Sequence, residues 1–348
     1  MATRSRIGKT TIVDIAAASG VSVTTVSRIL NDKPDVADET RERVLRVMDE
    51  IGFAPQSAWR QIRSGRSGLI GVHAPQDFNP TNMHLVMAAA LGVEDAGYSI
   101  NIITRSLNDT ELLGLFRSRE VDGMILLEVL SDDHRPVLLR DHGYPFVMVG
   151  HDKDNTGLNF ADVDIDFGME ASIGHLAELG HRSVACIGLH GIRNDKKYAF
   201  ITWARDAYEK ACRVHDFEPL PFIDGLNVEE MSVAAQRMLD NHPEVTAFLA
   251  LQEASTIAAL RAAQARGLRI PDDLSLVAML SELSAEIATP PLTTIAFPAE
   301  ELGSLAARML LDRMTHGHPA RPHQLVKPTL TIRESTARVD PAGSSVRS

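Results

Sequence analysis

The sequence predicts a small all-α helix-turn-helix head with a hinge helix behind it, followed by a large α/β body of two lobes with parallel sheets. Three observations carry this. Residues 11–31, TIVDIAAASGVSVTTVSRILN, spell a helix, a tight turn and a second helix. From Leu69 onward, short apolar runs alternate with amphipathic helical stretches, the pattern of strands laid parallel with helices between them. Between the two regions runs a short basic stretch, bounded by Pro55 and by Gly65 and Gly68.

The head can be justified residue by residue. Thr11 stands where an N-cap belongs, with Asp14 three positions on, so the two can close a capping box. Ile12, Ile15 and Ala16 fall at i, i+3 and i+4 and give one apolar face. Gly20 supplies the left-handed residue that stops the first helix. Val21 plugs the gap between the helices, and Ser22 caps a second one whose Val26, Ile29 and Leu30 face inward. Val23, Thr24, Thr25, Ser27, Arg28 and Asn31 are left pointing outward. Small hydroxyls, an amide, a methyl-rich side chain and one Arg are the chemistry of a helix laid in a DNA major groove. Hydroxyls and the helix N-terminus meet phosphates, and Arg reads guanine O6 and N7 in a bidentate pair. A third amphipathic helix follows in ADETRERVLRVMDEIGF, with Val44, Leu45 and Met48 expected to close a three-helix core.

The charge distribution supports an interface at one end. The 348-residue chain carries a net charge of −11, yet residues 1–66 hold 11 Lys and Arg against 8 Asp and Glu, a net of +3 that leaves −14 for the rest. A mildly basic head on an acidic body fits a protein that touches DNA with one end only. Two cysteines, Cys186 and Cys212, form no disulfide framework and point to a reducing compartment. There is no secretory h-region and no apolar run of membrane-spanning length, so a cytoplasmic protein without a membrane partner is expected.

The linker QSAWRQIRSGRS is helix-permissive but short, and marginal in isolation. Trp59 and Ile62 share a face, flanked by Arg60 and Arg63. Two readings fit: the pair docks on the head or body, or it forms an apolar wedge entering the minor groove of DNA.

In the body, LIGVHA, YSINIIT, GMILLEV and PFVMVG read as strands, with helices near 82–96, 109–119 and 133–142. A second series runs through a helix near 167–179, SVACIGL, helices near 195–213 and 229–241, TAFLAL, a helix near 254–266, LSLVAM and a helix near 298–315.

Taken together, TIVDIA, SGVSVTTVSRILN, DETRERV and IGFAP resemble the DNA-binding head of the LacI/GalR family of bacterial transcriptional regulators, nearly position for position from Thr11 to Pro55. The body stretches DVDIDFG, HLAELGHRSVACIG, GLRIPDDLSLVAM, PPLTTIAFPAEELG and VKPTLTIRES resemble the same family. The resemblance implies a periplasmic-binding-protein-like body, with an effector cleft between lobes joined by three crossovers. It divides the chain into a head at 1–55, a hinge helix at 56–67, an effector-binding and dimerisation body at 68–335 and a polar, disordered tail at 336–348. It also implies a sequence-specific regulator, a repressor on a palindromic double-stranded DNA operator, acting as a homodimer and answering to a carbohydrate-related small molecule. On that reading Val23, Thr24 and Arg28 read bases. Thr11, Ser22, Thr25, Ser27 and Asn31 position phosphates, and Trp59 and Ile62 engage the minor groove. The family's hinge has Ala and Leu at those last two places, so Trp59 is a bulky departure.

The cleft departs from the pattern further. The family's Asn-Pro-aromatic-aromatic motif reads Asn79-Pro80-Thr81-Asn82, and the slot of a pocket Arg falls near Ala199–Phe200. The Asp pair after LSLVAM becomes Leu280-Ser281, and Asn-Asp after TAFLAL becomes Gln252-Glu253, while Asp164 matches. The effector candidates are therefore Asn79, Asn82, Asp164, Trp203, Gln252 and Glu253. Losing the stacking rings, the Arg and the Asp allows a non-sugar effector, or none. Transcriptional activation is the other alternative, since operator position decides the sign. His316-Gly317-His318 with His323 fits no metal spacing, and Gly188-Leu189-His190-Gly191 lacks the Lys of a phosphate loop. No cofactor, metal or enzymatic site is expected.

Overall fold

The computed structural model describes residues 11–30, 36–51, 66–74, 79–189, 192–193, 196–317 and 322–339. Helices α1 (Ile12–Ser19), α2 (Val23–Leu30) and α3 (Asp38–Glu50) form the head. The capping box is present: the Thr11 N–H donates to Asp14 Oδ2 at 2.7 Å and the Asp14 N–H to Thr11 Oγ1 at 3.4 Å. Gly20 ends α1 at φ +68°, and Ser22 Oγ accepts the Thr25 N–H at 3.0 Å to start α2. Helices α1 and α2 meet at 107°, within the range of a helix-turn-helix. Ile15, Ala16, Val26, Ile29, Val44 and Met48 are buried together, with Ile12, Val21, Leu30 and Val36 packed around them. Leu45 does not join them and stays 49% exposed. Val44 and Met48, one turn apart, already fill the stripe that α3 turns inward, and Leu45 lies about 100° round the helix from Val44.

The first lobe is a six-stranded sheet of β1 (Leu69–His73), β2 (Ser99–Ile103), β3 (Gly123–Leu127), β4 (Phe146–Val149), β5 (Phe160–Val163) and β13 (His323–Val326). Its order is β13-β5-β4-β3-β1-β2, with every pair parallel. Parallel strands need crossover helices, which cover both faces. Helices α4 (Pro80–Glu94) and α12 (Ala299–His316) lie on one face over Ile70, Val72 and Val147. Helices α5 (Asp109–Arg117) and α6 (His134–Asp141) lie on the other over Met124, Leu126 and Phe146.

The second lobe repeats the plan. Strands β6 (Val184–Leu189), β9 (Ile223–Gly225), β10 (Ala247–Ala250), β11 (Ser275–Leu280), β12 (Thr293–Ala296) and β14 (Thr329–Thr331) take the order β14-β12-β11-β10-β6-β9. Only β14 runs antiparallel to its neighbour. Helices α7 (Ile165–Glu178) and α8 (Ala199–Val214) cover one face, and α9 (Val228–Asn241) and α10 (Glu253–Ala265) the other. A short α11 (Glu282–Glu286) follows β11. The helix expected from about 195 starts at Ala199, because Ile192–Arg193 (β7) and Lys196–Lys197 (β8) pair as a two-residue ladder.

The chain passes between lobes three times: from β5 into α7, from β12 into α12, and from β13 into β14. Of the expected tail at 336–348, residues 340–348 lie outside the described residues, and the part up to Val339 departs from the expectation. Residues 336–339 lie against the second lobe, where His175 Nε2 meets Thr336 Oγ1 at 3.0 Å and the Val339 N–H donates to the Leu179 carbonyl at 3.0 Å. Among the described residues, no single helix is long and apolar enough to cross a membrane.

Candidate DNA interface and inter-lobe cleft

The outward surface of α2 is polar except for one apolar side chain. Val23, Thr24 and Arg28 are exposed, with Thr24 and Arg28 one turn apart on a shared face. Thr25 and Ser27 are half-buried at its margins, and the Ser22 and Thr25 hydroxyls meet at 2.9 Å. Thr11 sits at the α1 N-terminus with its hydroxyl donating to Asp14 Oδ2 at 2.7 Å. That bond, with the Thr11 N–H, holds the Asp14 carboxyl below its ordinary range. Asn31, Trp59 and Ile62 lie outside the described residues, so three of the ten proposed DNA contacts have no position here.

The second region forms where the C-terminal ends of the strands in the two lobes face each other, the usual place for ligands in open α/β sheets. Three of the six effector candidates stand at the N-cap positions just before helices. Asn79 caps α4, accepting the Asn82 N–H at 2.8 Å. Asp164 caps α7, accepting the Phe167 N–H at 3.0 Å, and its own N–H donates to the Val326 carbonyl at 2.8 Å, tying two crossovers together. Gln252 precedes α10, and its N–H donates to Ser255 Oγ at 2.9 Å.

The other three candidates meet partners across or beside the cleft. Asn82 Nδ2 donates to Glu128 Oε1 at 3.2 Å. Glu253, on the second lobe, accepts the hydroxyl of Thr81, on the first, at 2.8 Å. Trp203 donates its indole N–H to the His151 carbonyl at 3.1 Å and stacks on the His151 ring with centroids 5.0 Å apart. His151 in turn stacks on Phe160 at 4.7 Å and holds Asp162 Oδ2 with Nδ1 at 2.6 Å. Leu280 is buried, and Ser281 caps α11, accepting the Ser284 N–H at 3.2 Å, so neither supplies a carboxylate.

Glu128 is the cleft residue that sequence reasoning missed. It follows β3 directly and takes a left-handed backbone at φ +50°, an uncommon conformation for a residue with a side chain. Arg135, buried to 6% exposure, fixes that loop. Its Nη2 donates to the Glu128 carbonyl at 3.3 Å, its Nε to Asp133 Oδ1 at 2.9 Å and its Nη1 to His73 Nδ1 at 2.6 Å. His73 Nε2 then donates to the Arg105 carbonyl at 3.2 Å, which assigns its tautomer. Burial pushes the Asp133 carboxyl up, but the Arg135 hydrogen bonds and charge outweigh it and hold the group below the ordinary range. The only sequence hint was the EVLSDDHR run after GMILL, where three acids and an Arg follow a buried strand.

Comparison with known proteins places both regions. Residues 11–56 match the family model for bacterial regulatory proteins of the lacI family, and residues 173–336 match that for a periplasmic binding protein-like domain. The HTH-type transcriptional regulator DegA of Bacillus subtilis (strain 168) is 30% identical over 335 residues, covering 94% of this chain and 98% of that protein. Among solved structures, the Lac repressor dimer bound to operator and the anti-inducer ONPF is similar at a TM-score of 0.79 and 25% identity, covering 95% of this chain and 100% of that one. A complex of the transcriptional regulator CelR with cellobiose is similar at a TM-score of 0.69 and 26% identity, covering 94% and 99%. With a helix-turn-helix head and a two-lobed body that align with such regulators over nearly their whole length, this chain belongs to the LacI family of bacterial regulatory proteins.

Proposed function

We propose that this protein is a cytoplasmic transcriptional repressor that reads a near-palindromic DNA operator as a homodimer. The observation that carries it is the surface of α2, where Thr24 and Arg28 share an exposed face on a helix held at 107° to its partner. Arg28 reads a guanine, Thr24 and Val23 contact neighbouring base edges, and Ser22, Thr25 and Ser27 set the register on phosphates. Thr11 adds a phosphate contact through the N-terminus of α1, while Asn31 extends the phosphate contacts beyond α2. Trp59 and Ile62 form the minor-groove wedge.

The dimer reading has its own support. Met83, Met87 and Leu91 lie at i, i+4 and i+8 on α4 and are 46%, 58% and 69% exposed, a continuous apolar stripe on the first lobe. A second copy of the chain covers it. The CelR–cellobiose likeness supports a small-molecule effector in the cleft, which acts through its different affinities for two lobe arrangements.

Selection of bound sequences from a random duplex library tests the reading. Enriched sites are expected to contain two inverted half-sites about one helical turn apart. Arg28→Ala is expected to weaken the selected site by about 1–3 kcal/mol and to relax one base pair in each half. Unchanged binding by that variant to both selected and random DNA would remove the assignment of α2.

A further inference from the structure

Groups of the two lobes meet directly across the cleft. Among the described residues, four direct links join the lobes beyond the three crossovers. The Ala199 N–H donates to the Val129 carbonyl at 3.0 Å, alongside an antiparallel bridge between Leu130 and Tyr198. Thr81 donates to Glu253, and Trp203 donates to the His151 carbonyl while stacking on that ring. Phe200 packs against the apolar cores of both lobes, as does Phe297 on the second crossover. The slot where the resemblance places a pocket Arg falls near Ala199–Phe200, and Phe200 brings an apolar ring there in place of a charge.

From these contacts we infer that the cleft is a self-latched joint. Thr81–Glu253, Trp203–His151 and Phe200 together do the bridging that a bound small molecule does elsewhere. The lobes close on each other without a ligand, and a molecule entering the cleft acts by parting Thr81 from Glu253 and so favours the open arrangement. The loop from Glu128 to Asp132 is shaped for the latch. Its two left-handed residues, Glu128 at φ +50° and Asp132 at φ +56°, flank the Val129 carbonyl presented to α8; Arg135 holds the Glu128 carbonyl, and the Asp132 N–H donates to Asp152 Oδ2 at 2.6 Å. This inference rests on the two-state switch described above for its effect on DNA, but the latch itself is a property of the body alone.

The test is a distance between lobes. Nitroxide labels are placed at Arg117→Cys on α5 and Arg237→Cys on α9, both exposed, while the native Cys186 and Cys212 are buried. The labelled full chain is diluted with unlabelled chain so that each distance lies within one copy, and native mass spectrometry establishes that no small molecule is carried along. The ligand-free protein is expected to give one narrow short-distance peak, with less than about a tenth of the signal elsewhere. Thr81→Val combined with Trp203→Phe, which removes both donors and keeps the bulk, is expected to broaden the distribution toward longer distances. Glu253→Gln keeps an oxygen that can accept from Thr81 and is expected to stay closed. A long or broad distribution in the bare wild-type chain overturns the latch. So does a short peak that vanishes once a carried-over molecule is removed, or a double variant that stays closed while circular dichroism reports a native fold. None of these readings involves DNA, so failure to find an operator leaves them untouched.

Discussion

Trp203, on the second lobe, donates its indole N–H to the backbone carbonyl of His151, on the first, across 3.1 Å, and the two rings lie within 19° of parallel. One side chain thus contributes a hydrogen bond and a stacking contact to the same joint. Trp203→Phe separates the two contributions. It keeps an aromatic face over His151 and removes the donor, so a loss of about 0.5–1.5 kcal/mol in urea unfolding is expected. Trp203→Ala removes both and is expected to lose about 3–5 kcal/mol. Equal losses for the two variants would mean that the ring contributes nothing to the joint.

The proposed dimer face makes a prediction from size rather than stability. Met87 is central in the exposed stripe of α4, so Met87→Glu places a carboxylate where two copies are expected to pack. Because the position is solvent-exposed in one chain, the fold is expected to change by less than about 0.5 kcal/mol. The sedimenting species is expected to fall from dimer to monomer at micromolar concentration, with operator affinity falling alongside it. A variant that sediments as wild type does would place the dimer contact elsewhere.

Acid should loosen the C-terminal segment. His181 is buried, with Nε2–H donating to the Ala337 carbonyl at 3.1 Å and Nδ1 facing the Thr246 hydroxyl at 2.8 Å. Burial lowers its pKa from 6.5 to about 4, and burial also lowers His175, which meets Thr336. The folded state therefore holds His181 neutral in a range where the unfolded chain takes up a proton. Stability is complete above about pH 6.5 and declines as pH falls toward 4, by roughly 1–3 kcal/mol from this residue. His181→Gln is expected to flatten that decline in unfolding measured from pH 7 to pH 4. An equally steep decline in the variant would assign the effect to other groups.

Packing between α4 and α12 is close enough to require a glycine. A Cβ at Gly303 would collide with the Leu85 carbonyl and come within 2.9 Å of the Ala88 Cβ. The obstacle is backbone, so neither helix can yield by turning a side chain. Gly303→Ala is expected to destabilise the first lobe by about 1–3 kcal/mol despite the better helix propensity of Ala. A gain in melting temperature would show that the two helices part readily.

Much of this was legible in the chain because the signals are local. Thr11, Asp14, Gly20 and Ser22 write the boundaries of the head helices within a few residues, and long periodic segments such as Ala299–His316 announce themselves. Strands that escaped, such as β5, β9, β12, β13 and β14, are three or four residues long, and they become strands only because a neighbour far along the chain pairs with them. Phe160–Val163, for example, is held between Met148–Val149 and His323–Val326. Leu45 was misplaced because apolar character does not state which side of a helix faces the core. The cleft was the least legible part. Trp203, Glu253 and Glu128 acquire their roles from partners 52, 172 and 46 residues away, which no local spacing encodes.

The buried Asp133–Arg135–His73 chain supplies the last prediction, and it concerns a difference between two kinds of change. Arg135 reaches Asp133, His73 and the Glu128 carbonyl from inside the protein, and both members of the ion pair are almost wholly removed from water. Arg135→Met leaves the Asp133 charge buried with its main partner gone, and such breaks typically destabilise by about 3–5 kcal/mol. Replacing both, as Asp133→Leu with Arg135→Met, removes the charge as well as the partner, so much of that loss is expected to return. Recovery of stability without recovery of the cleft is the informative outcome. In the double variant the Glu128 carbonyl loses its Arg135 donor and the Leu130 N–H loses its Asp133 acceptor, so the 128–132 loop should exchange its amide hydrogens faster than wild type even where the melting temperature is restored. Hydrogen exchange unchanged in that loop would mean that its conformation is set by Val129 and Leu130 against α8, and that Arg135 serves stability alone.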